Sequence, residues 1–494
     1  MKWRRILKAF PTVILVVDVI IRIVAVLAVP RNRRPSSAMA WLLAIFVSPI
    51  PGSLLFGILG SSKLPKDRRD RQREINGLIL DATAAIDTKS DKVTNPPWFG
   101  SVVTLNRTLG AMPLIPGNTV ELHPDYQESI AAMTAAIGEA TEYVHVEFYI
   151  LGLDKSTRAF FDALADAKAR GVVVRVLYDH FATIRNPAGP EARRWLRESG
   201  IPFEEMLPVH PFSGKFRRPD LRNHRKILVI DGKVAFTGSQ NMVDPSYNKK
   251  GNIRRGLQWK DLMMRIDGPA ALGLDALFIT DWYSETDELL RPSDENAPSL
   301  RNISQSPGAV EGLECQVVPS GPGFDGENNL RLFNALVYGA QDKLIIASPY
   351  FVPDDSMLYA ITTAAQRGVD VQLFACEVAD QFLVYHAQRS YYETLLRAGV
   401  RIFLYPKPTV LHSKHFTIDN HVAVVGSSNM DMRSFSLNFE VSLLVRGSRF
   451  VNKMREVEEQ YRSVSREVTL ENWLARPAPI QVLDNIARLT ASVQ

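Results

Sequence analysis

Disulfide chemistry has little to work with in this chain: its 494 residues include two cysteines, Cys315 and Cys376. That scarcity excludes a disulfide-stapled secreted scaffold. Both lie in apolar, strand-like runs, LECQVV and VQLFACEV, and read as buried free thiols. There is no cysteine cluster and no His-Glu-x-x-His run, so nothing suggests a zinc site. Charge imbalance is also slight, at +5 with a pI near 9.0. A mildly basic balance fits an anionic partner such as acidic lipid, though it serves solubility equally well. What remains is ordinary globular material, 46% apolar and 22% charged, long enough for two or three folded units.

Composition departs most from the average at the N-terminus. Thr12 to Val29 is almost wholly apolar between Pro11 and Pro30, and Ala38 to Gly60 is a second apolar run. A spanning helix needs about 20 such residues, so the pair is expected to form a transmembrane hairpin within a membrane anchor over residues 1–75. Asp18 and Arg22 stand four apart inside the first run, where they can pair. Lys2, Arg4, Arg5 and Lys8 precede it, and Lys63, Lys66, Arg68, Arg69, Arg71 and Arg73 follow the second, against Arg31, Arg33 and Arg34 between them. This asymmetry predicts a multi-pass protein of the cell membrane with both ends of the hairpin, and the large domain, on the cytoplasmic side. Residues 65–75 are expected to be solvated or to lie against anionic headgroups. Residues 76–125 read as a connector with some helix and a short hairpin.

Beyond it the chain repeats itself. YVHVEFYI (143–150), a helix over 156–170 and GVVVRVLYD (171–179) match KLIIASPYFV (343–352), a helix through Arg367 and GVDVQLFAC (368–376). Strand, helix and β-branched strand form a parallel α/β unit. Each unit leads into one copy of a motif, NHRKILVIDGKVAFTGSQNM and LHSKHFTIDNHVAVVGSSNM. His224, Lys226, Asp231, Gly238, Ser239 and Asn241 correspond to His412, Lys414, Asp419, Gly426, Ser427 and Asn429 at a constant offset, 412 minus 224, of 188 residues. Residues 291–307, rich in Pro, Ser, Asn and acids, read as a linker. The expected architecture is α/β, with two similar halves over 126–300 and 301–494.

Each copy presents an imidazole and an ammonium two residues apart at the start of an apolar strand, on one face. Asp231-Gly232 reads as a two-residue hairpin turn with Val234–Phe236 returning antiparallel. The return ends in Gly-Ser-x-Asn, which supplies neutral hydrogen bonds, and the whole set suits an anionic phosphate group. Two copies supply what phosphoryl transfer through a covalent intermediate requires: one histidine as nucleophile and one as acid to the leaving oxygen. Two lysines can neutralise the non-bridging oxygens, a task otherwise given to a metal, so no metal or other cofactor is expected.

These residues resemble the paired motifs of the phospholipase D superfamily. The flanking runs PSSAMAWLLAIFVSPIPG, QWKDLMMRIDGPA, ASPYFVPD, LLRAGVRIFLY and GSSNMDMRSFSLNFE are similar to those of its bacterial cardiolipin synthases. The resemblance implies two phospholipase D-like halves about a pseudo-twofold axis with the site between them. It implies a transferase that joins two phosphatidylglycerol molecules into cardiolipin and releases glycerol. His224 would be the nucleophile and His412 the acid and then the base, although the two copies are nearly symmetric on this point. Lys226, Lys414, Ser239, Asn241, Ser427 and Asn429 would contact phosphate. Asp261 and Glu440 would each accept a bond from a motif histidine, while Asp231 and Asp419 would shape their turns and brace the site. Partners would be phosphatidylglycerol, other anionic phospholipids and the membrane. A nucleic acid is not expected, because a nuclease has no use for the apolar runs. Hydrolysis, transfer to another alcohol, or a fold retained without turnover remain open at this level. Asn420-His421 stands where a glycine commonly follows the motif aspartate, and the C-terminal ARLTASVQ departs from the family's closing residues. His145 and Glu147 read as structural, and the other histidines, His386 and His415 among them, as solvated or core.

Overall fold

The computed structural model describes residues 2–31, 33, 35–60, 64–84, 86, 96–210, 215–216, 218–290, 312–324 and 326–490. The expected linker at 291–307 lies outside them. Two units are present, Met1–Leu64 and Pro65–Gln494.

The first unit is helical. Its first helix runs Lys2–Ala28, with Asp18 and Arg22 paired at 2.9 Å as their spacing predicts. The second apolar run is not one helix. It is Pro35–Val47 followed by Pro49–Leu59, broken at Ser48, because Pro49 and Pro51 lack the N–H groups that continuation requires. No helix among the described residues is long and apolar enough to cross a membrane; the two apolar runs form three helices. Ala25, Val29, Ala38 and Ile45 form a small core, while Leu15, Leu27, Leu43, Val47 and Leu54 remain exposed.

The second unit is built on one sheet of 16 strands among the described residues. At its centre Leu114–His123 pairs antiparallel with Leu313–Ser320. Outward on one side come Met263–Asp267, Val234–Gly238, Lys226–Ile230, Tyr143–Phe148, Val173–Asp179 and Phe203–Met206. On the other come Asn438–Arg446, Val422–Gly426, His415–Ile418, Lys343–Ala347, Asp370–Cys376 and Arg401–Tyr405, with Arg466–Val468 added at the edge. Both directions read alike: a strand following the motif, the motif hairpin, then three parallel strands. Helices Arg158–Ala169 and Asp355–Gln366 are the crossovers of the repeated units, and Cys315 and Cys376 are buried free thiols.

Three expectations change. The connector holds a central strand rather than a short hairpin: Leu114–His123 carries the alternation of a half-buried strand, interrupted by an irregularity between Ile115 and Asn118. The charged stretch 65–75 is solvated on one face only, with Lys66, Asp67, Asp70, Arg73 and Glu74 exposed. It opens the helix Lys66–Ala82, whose stripe Arg68, Gln72, Ile75 and Ile79 is buried, with Arg68 paired to Glu285 at 2.5 Å. The motif hairpins turn through three residues, since Ile230 pairs with Val234 and Ile418 with Val422. Asp231 and Gly232 take positive φ of 52° and 63° there, and Asp419 takes 49°.

Candidate active site

Two short parallel pairings between the halves build the site. Arg222–Asn223 runs beside Asn438–Phe439, so the next residues, His224 and Glu440, meet. Gln258–Lys260 runs beside Thr409–Leu411, so Asp261 and His412 meet. The main chain secures both, through His224 N to Phe439 O at 2.8 Å and His412 N to Lys260 O at 2.7 Å. Each histidine is therefore oriented by the other half's carboxylate: His224 Nδ1 lies 2.9 Å from Glu440 Oε2, and His412 Nδ1 lies 2.7 Å from Asp261 Oδ1.

This crossing decides the tautomers. Burial, the largest influence, with the nearby lysines in support, lowers both imidazoles to about 4, so both are neutral near pH 7. A neutral ring whose Nδ1–H donates to a carboxylate carries its lone pair on Nε2. Among the described residues neither Nε2 has a hydrogen-bond partner. Burial pushes Glu440 and Asp261 up, but their histidine and lysine neighbours hold both below the ordinary carboxylate range.

The lysines stand in the same cluster. Lys226 Nζ donates to His224 O at 2.6 Å and Lys414 Nζ to His412 O at 2.7 Å, leaving each ammonium two further protons. Burial depresses Lys226 strongly and lowers Lys414 to about 8. Two aromatic rings that sequence patterns did not single out flank the imidazoles edge-on: Tyr149 at 4.8 Å from His224 and Tyr247 at 6.3 Å from His412.

The remaining expected residues divide. Ser239 Oγ donates to Asp261 at 2.6 Å and Ser427 Oγ to Glu440 at 2.5 Å, and each also accepts a backbone N–H, from Leu262 and Val441. A hydroxyl has one proton, so in this state both serines hold the orienting carboxylates rather than offering a donor to phosphate. Asn241 bonds Tyr247 Oη and the Ile150 N–H, while Asn429 Oδ1 is buried without a partner. Asp231 accepts from the N–H groups of Thr141, Glu142 and Tyr143 and from the Thr141 hydroxyl. Asp419 accepts from the N–H groups of Gln341, Asp342 and Lys343. Each carboxylate caps the start of a repeated unit's first strand, Tyr143–Phe148 for Asp231 and Lys343–Ala347 for Asp419, and bonds neither motif histidine.

Alanine at Asp231 or Asp419 is thus expected to lower stability by about 2–4 kcal/mol, since it strands several N–H donors. The folded fraction should retain its turnover. Denaturant melts beside activity per folded molecule check this.

Sequence patterns also passed over Arg225, which lies between the motif His and Lys but points to the opposite side. Fully buried, it donates to Glu440 O at 3.2 Å and pairs with Asp281. A charge inside NHRKILVI, alternating with the motif residues, was the available signal. Glu147 accepts from Asn223 at 2.6 Å, and His145 bonds Asp275 at 2.7 Å and stacks on Phe278, both as structural groups. His386 bonds Asp484 at 2.7 Å. His415 is buried near Glu458. Among the described residues no group of three His, Cys, Asp or Glu is placed to hold a metal ion.

Known proteins carry the same arrangement of sequence. The family model described as "Cardiolipin synthase, PLD-like domain" matches residues 133–264 and 335–461, the two halves that hold the two motifs. The chain belongs to that family. Cardiolipin synthase A of Proteus mirabilis is 34% identical over 465 residues, 92% of this chain and 92% of that protein. Cardiolipin synthase A of Klebsiella pneumoniae (strain 342) is 33% identical over the same length. Among solved structures, phosphatidylserine synthase of Haemophilus influenzae aligns over 79% of this chain and 99% of its own, with a TM-score of 0.58 at 15% identity, a likeness of fold. The protein is a phosphatidyltransferase of the phospholipase D superfamily.

A transferase with both imidazoles held near 4, against an ordinary 6.5, takes up protons in the unfolded chain first. Its stability therefore falls as pH drops from about 6.5 to about 4. His415, lowered by burial to about 3, adds to the effect, and Glu458, raised by burial to about 7, opposes it. Melting temperature should decline through this window, and less steeply for a His224→Gln/His412→Gln double variant.

Proposed function

We propose that the protein joins two phosphatidylglycerol molecules into cardiolipin and glycerol. The observation that carries the reading is the crossed pairing of each motif histidine with the opposite half's carboxylate, which gathers two imidazoles and two ammonium groups in one buried cluster. In the first step His224 Nε2 attacks phosphorus, a P–N bond forms, and the P–O bond to the headgroup glycerol breaks. His412, charged once an anionic phosphodiester lies beside it, gives its proton to the departing oxygen. In the second step neutral His412 takes a proton from a glycerol hydroxyl of the second lipid, whose oxygen attacks phosphorus as the P–N bond breaks. Lys226 and Lys414 neutralise the non-bridging oxygens with their uncommitted protons. Asp261 and Glu440, held by Ser239 and Ser427, keep each Nε2 aimed at phosphorus, and Asn241 and Asn429 line the phosphate's approach.

The exposed leucines and valines of the first unit support a membrane as the place of work, with that unit lodged in the bilayer as an anchor. The excess of basic residues at its two ends supports a cytoplasmic position for the catalytic unit.

The test is lipid analysis of the purified full chain incubated with labelled phosphatidylglycerol. Cardiolipin and free glycerol in equal amounts are expected. Phosphatidic acid in their place would make water the acceptor, and no product would remove the reading.

A further inference from the structure

Beside the candidate site the catalytic unit exposes apolar side chains where a soluble enzyme has little reason to place them. The short helix Lys250–Arg255 starts three residues after Tyr247, the ring beside His412. It carries Ile253 at 58% exposure, flanked by exposed Lys249, Lys250 and Arg254, with no acid in its first turn. From the other half, residues 378–381 lead into the helix Phe382–Arg389, whose first two residues, Phe382 and Leu383, are 63% and 51% exposed. The two segments are tied together, because the Arg255 guanidinium donates to Ala379 O at 3.1 Å. They are also tied to the site. Asp380 accepts from Tyr350 Oη at 2.7 Å and acts electrostatically on Tyr247, so the acid of this loop is committed inward.

We infer that these two segments form a rim that docks on an anionic phospholipid bilayer, with Phe382, Leu383 and Ile253 entering the interface and Lys249, Lys250 and Arg254 meeting the headgroups. Apolar tips ringed by cations are the composition of interfacial membrane contacts. Both halves contribute to the rim, and Tyr247, whose ring lies 6.3 Å from His412, leads from it to the site. A lipid then passes from the bilayer to the two imidazoles without crossing water. The inference rests on the proposed lipid substrate and adds how that substrate arrives.

The test uses the full chain in three arms. Phe382→Ser/Leu383→Ser should lose about tenfold or more of its rate on phosphatidylglycerol vesicles, and keep its rate on water-soluble dihexanoyl phosphatidylglycerol. Lys250→Glu/Arg254→Glu should show the same split, with the wild-type advantage shrinking as salt rises. Leu383→Cys carrying an environment-sensitive dye (the native cysteines are buried) should report an apolar environment on phosphatidylglycerol vesicles and not on phosphatidylcholine vesicles. Equal losses on both substrates, equal rates on vesicles, or a silent dye would overturn the rim. So would dimers in detergent that the serine variants dissociate, since a second copy would then cover it. If the wild type makes no product from either substrate, the lipid reading fails, while the dye still reports docking independently of turnover.

Discussion

Alanine at His224 or His412 should reduce phosphatidyl transfer by about 10⁴-fold or more, because in the proposed mechanism each removal deletes a bond-forming or proton-transferring group outright. The two losses should differ in kind. Without His412 the glycerol oxygen leaves unprotonated, so a phosphatidyl ester of nitrophenol, whose anion departs unaided, should restore much of the first step. Without His224 no nitrogen is placed to attack, and the same substrate should restore nothing. Rates of nitrophenolate release by the two variants measure this directly. Rescue of the His224 variant alone would exchange the two assignments, on which the near-symmetric geometry gives no preference.

Methionine at Lys226 or Lys414 has the next largest expected effect, a loss of about 10²–10³-fold at pH 7. In the proposed mechanism each lysine supplies a buried positive charge to the transferring phosphate, and Met keeps the length without the charge. The pH dependence should move as well. Both lysines hold the histidines' protons off, with Lys226 acting on each imidazole and Lys414 likewise. Removing either cation raises both histidines, so the protonated fraction at a given pH grows and the acid limb of the rate profile shifts upward. Arginine should not substitute, because a guanidinium does not fit a buried position whose Nζ already bonds its motif histidine's carbonyl at 2.6–2.7 Å. A rate loss with an unmoved pH profile would mean the lysines act only in binding.

The part of this site legible in the sequence is the part that repeats. His224 with Lys226 and His412 with Lys414 stand out because two copies keep the same polar residues at the same offset, and chance does not maintain that. The parallel α/β units were equally plain, since β-branched runs after Gly171 and Gly368 can hardly be anything but buried strands. Asp261 and Glu440 carried no local signal. A lone Asp or Glu beside a strand resembles any solvated charge, and what brings each to a histidine is a pairing between halves more than 100 residues apart. The bonds of Ser239 and Ser427 to these carboxylates were hidden for a related reason: the partner that takes each single proton is that same distant residue. Arg68 and Gln72 were read as solvent-facing because charge dominates composition there, while the helical stripe they share with Ile75 and Ile79 decides burial. The break at Ser48 was visible in Pro49 and Pro51, but the hydropathy of the surrounding run outweighed two prolines.

In the proposed mechanism phosphorus passes through a bond to histidine nitrogen. Labelled phosphatidylglycerol would be mixed with the enzyme, quenched within one turnover, and the protein digested to find the label. A single labelled peptide containing His224 is expected, with the label lost in acid as a P–N bond requires, and none in the His224→Ala variant. Cardiolipin accumulating at full rate while no label appears on either His224 or His412 would contradict it and point to direct displacement of one lipid's headgroup by the other.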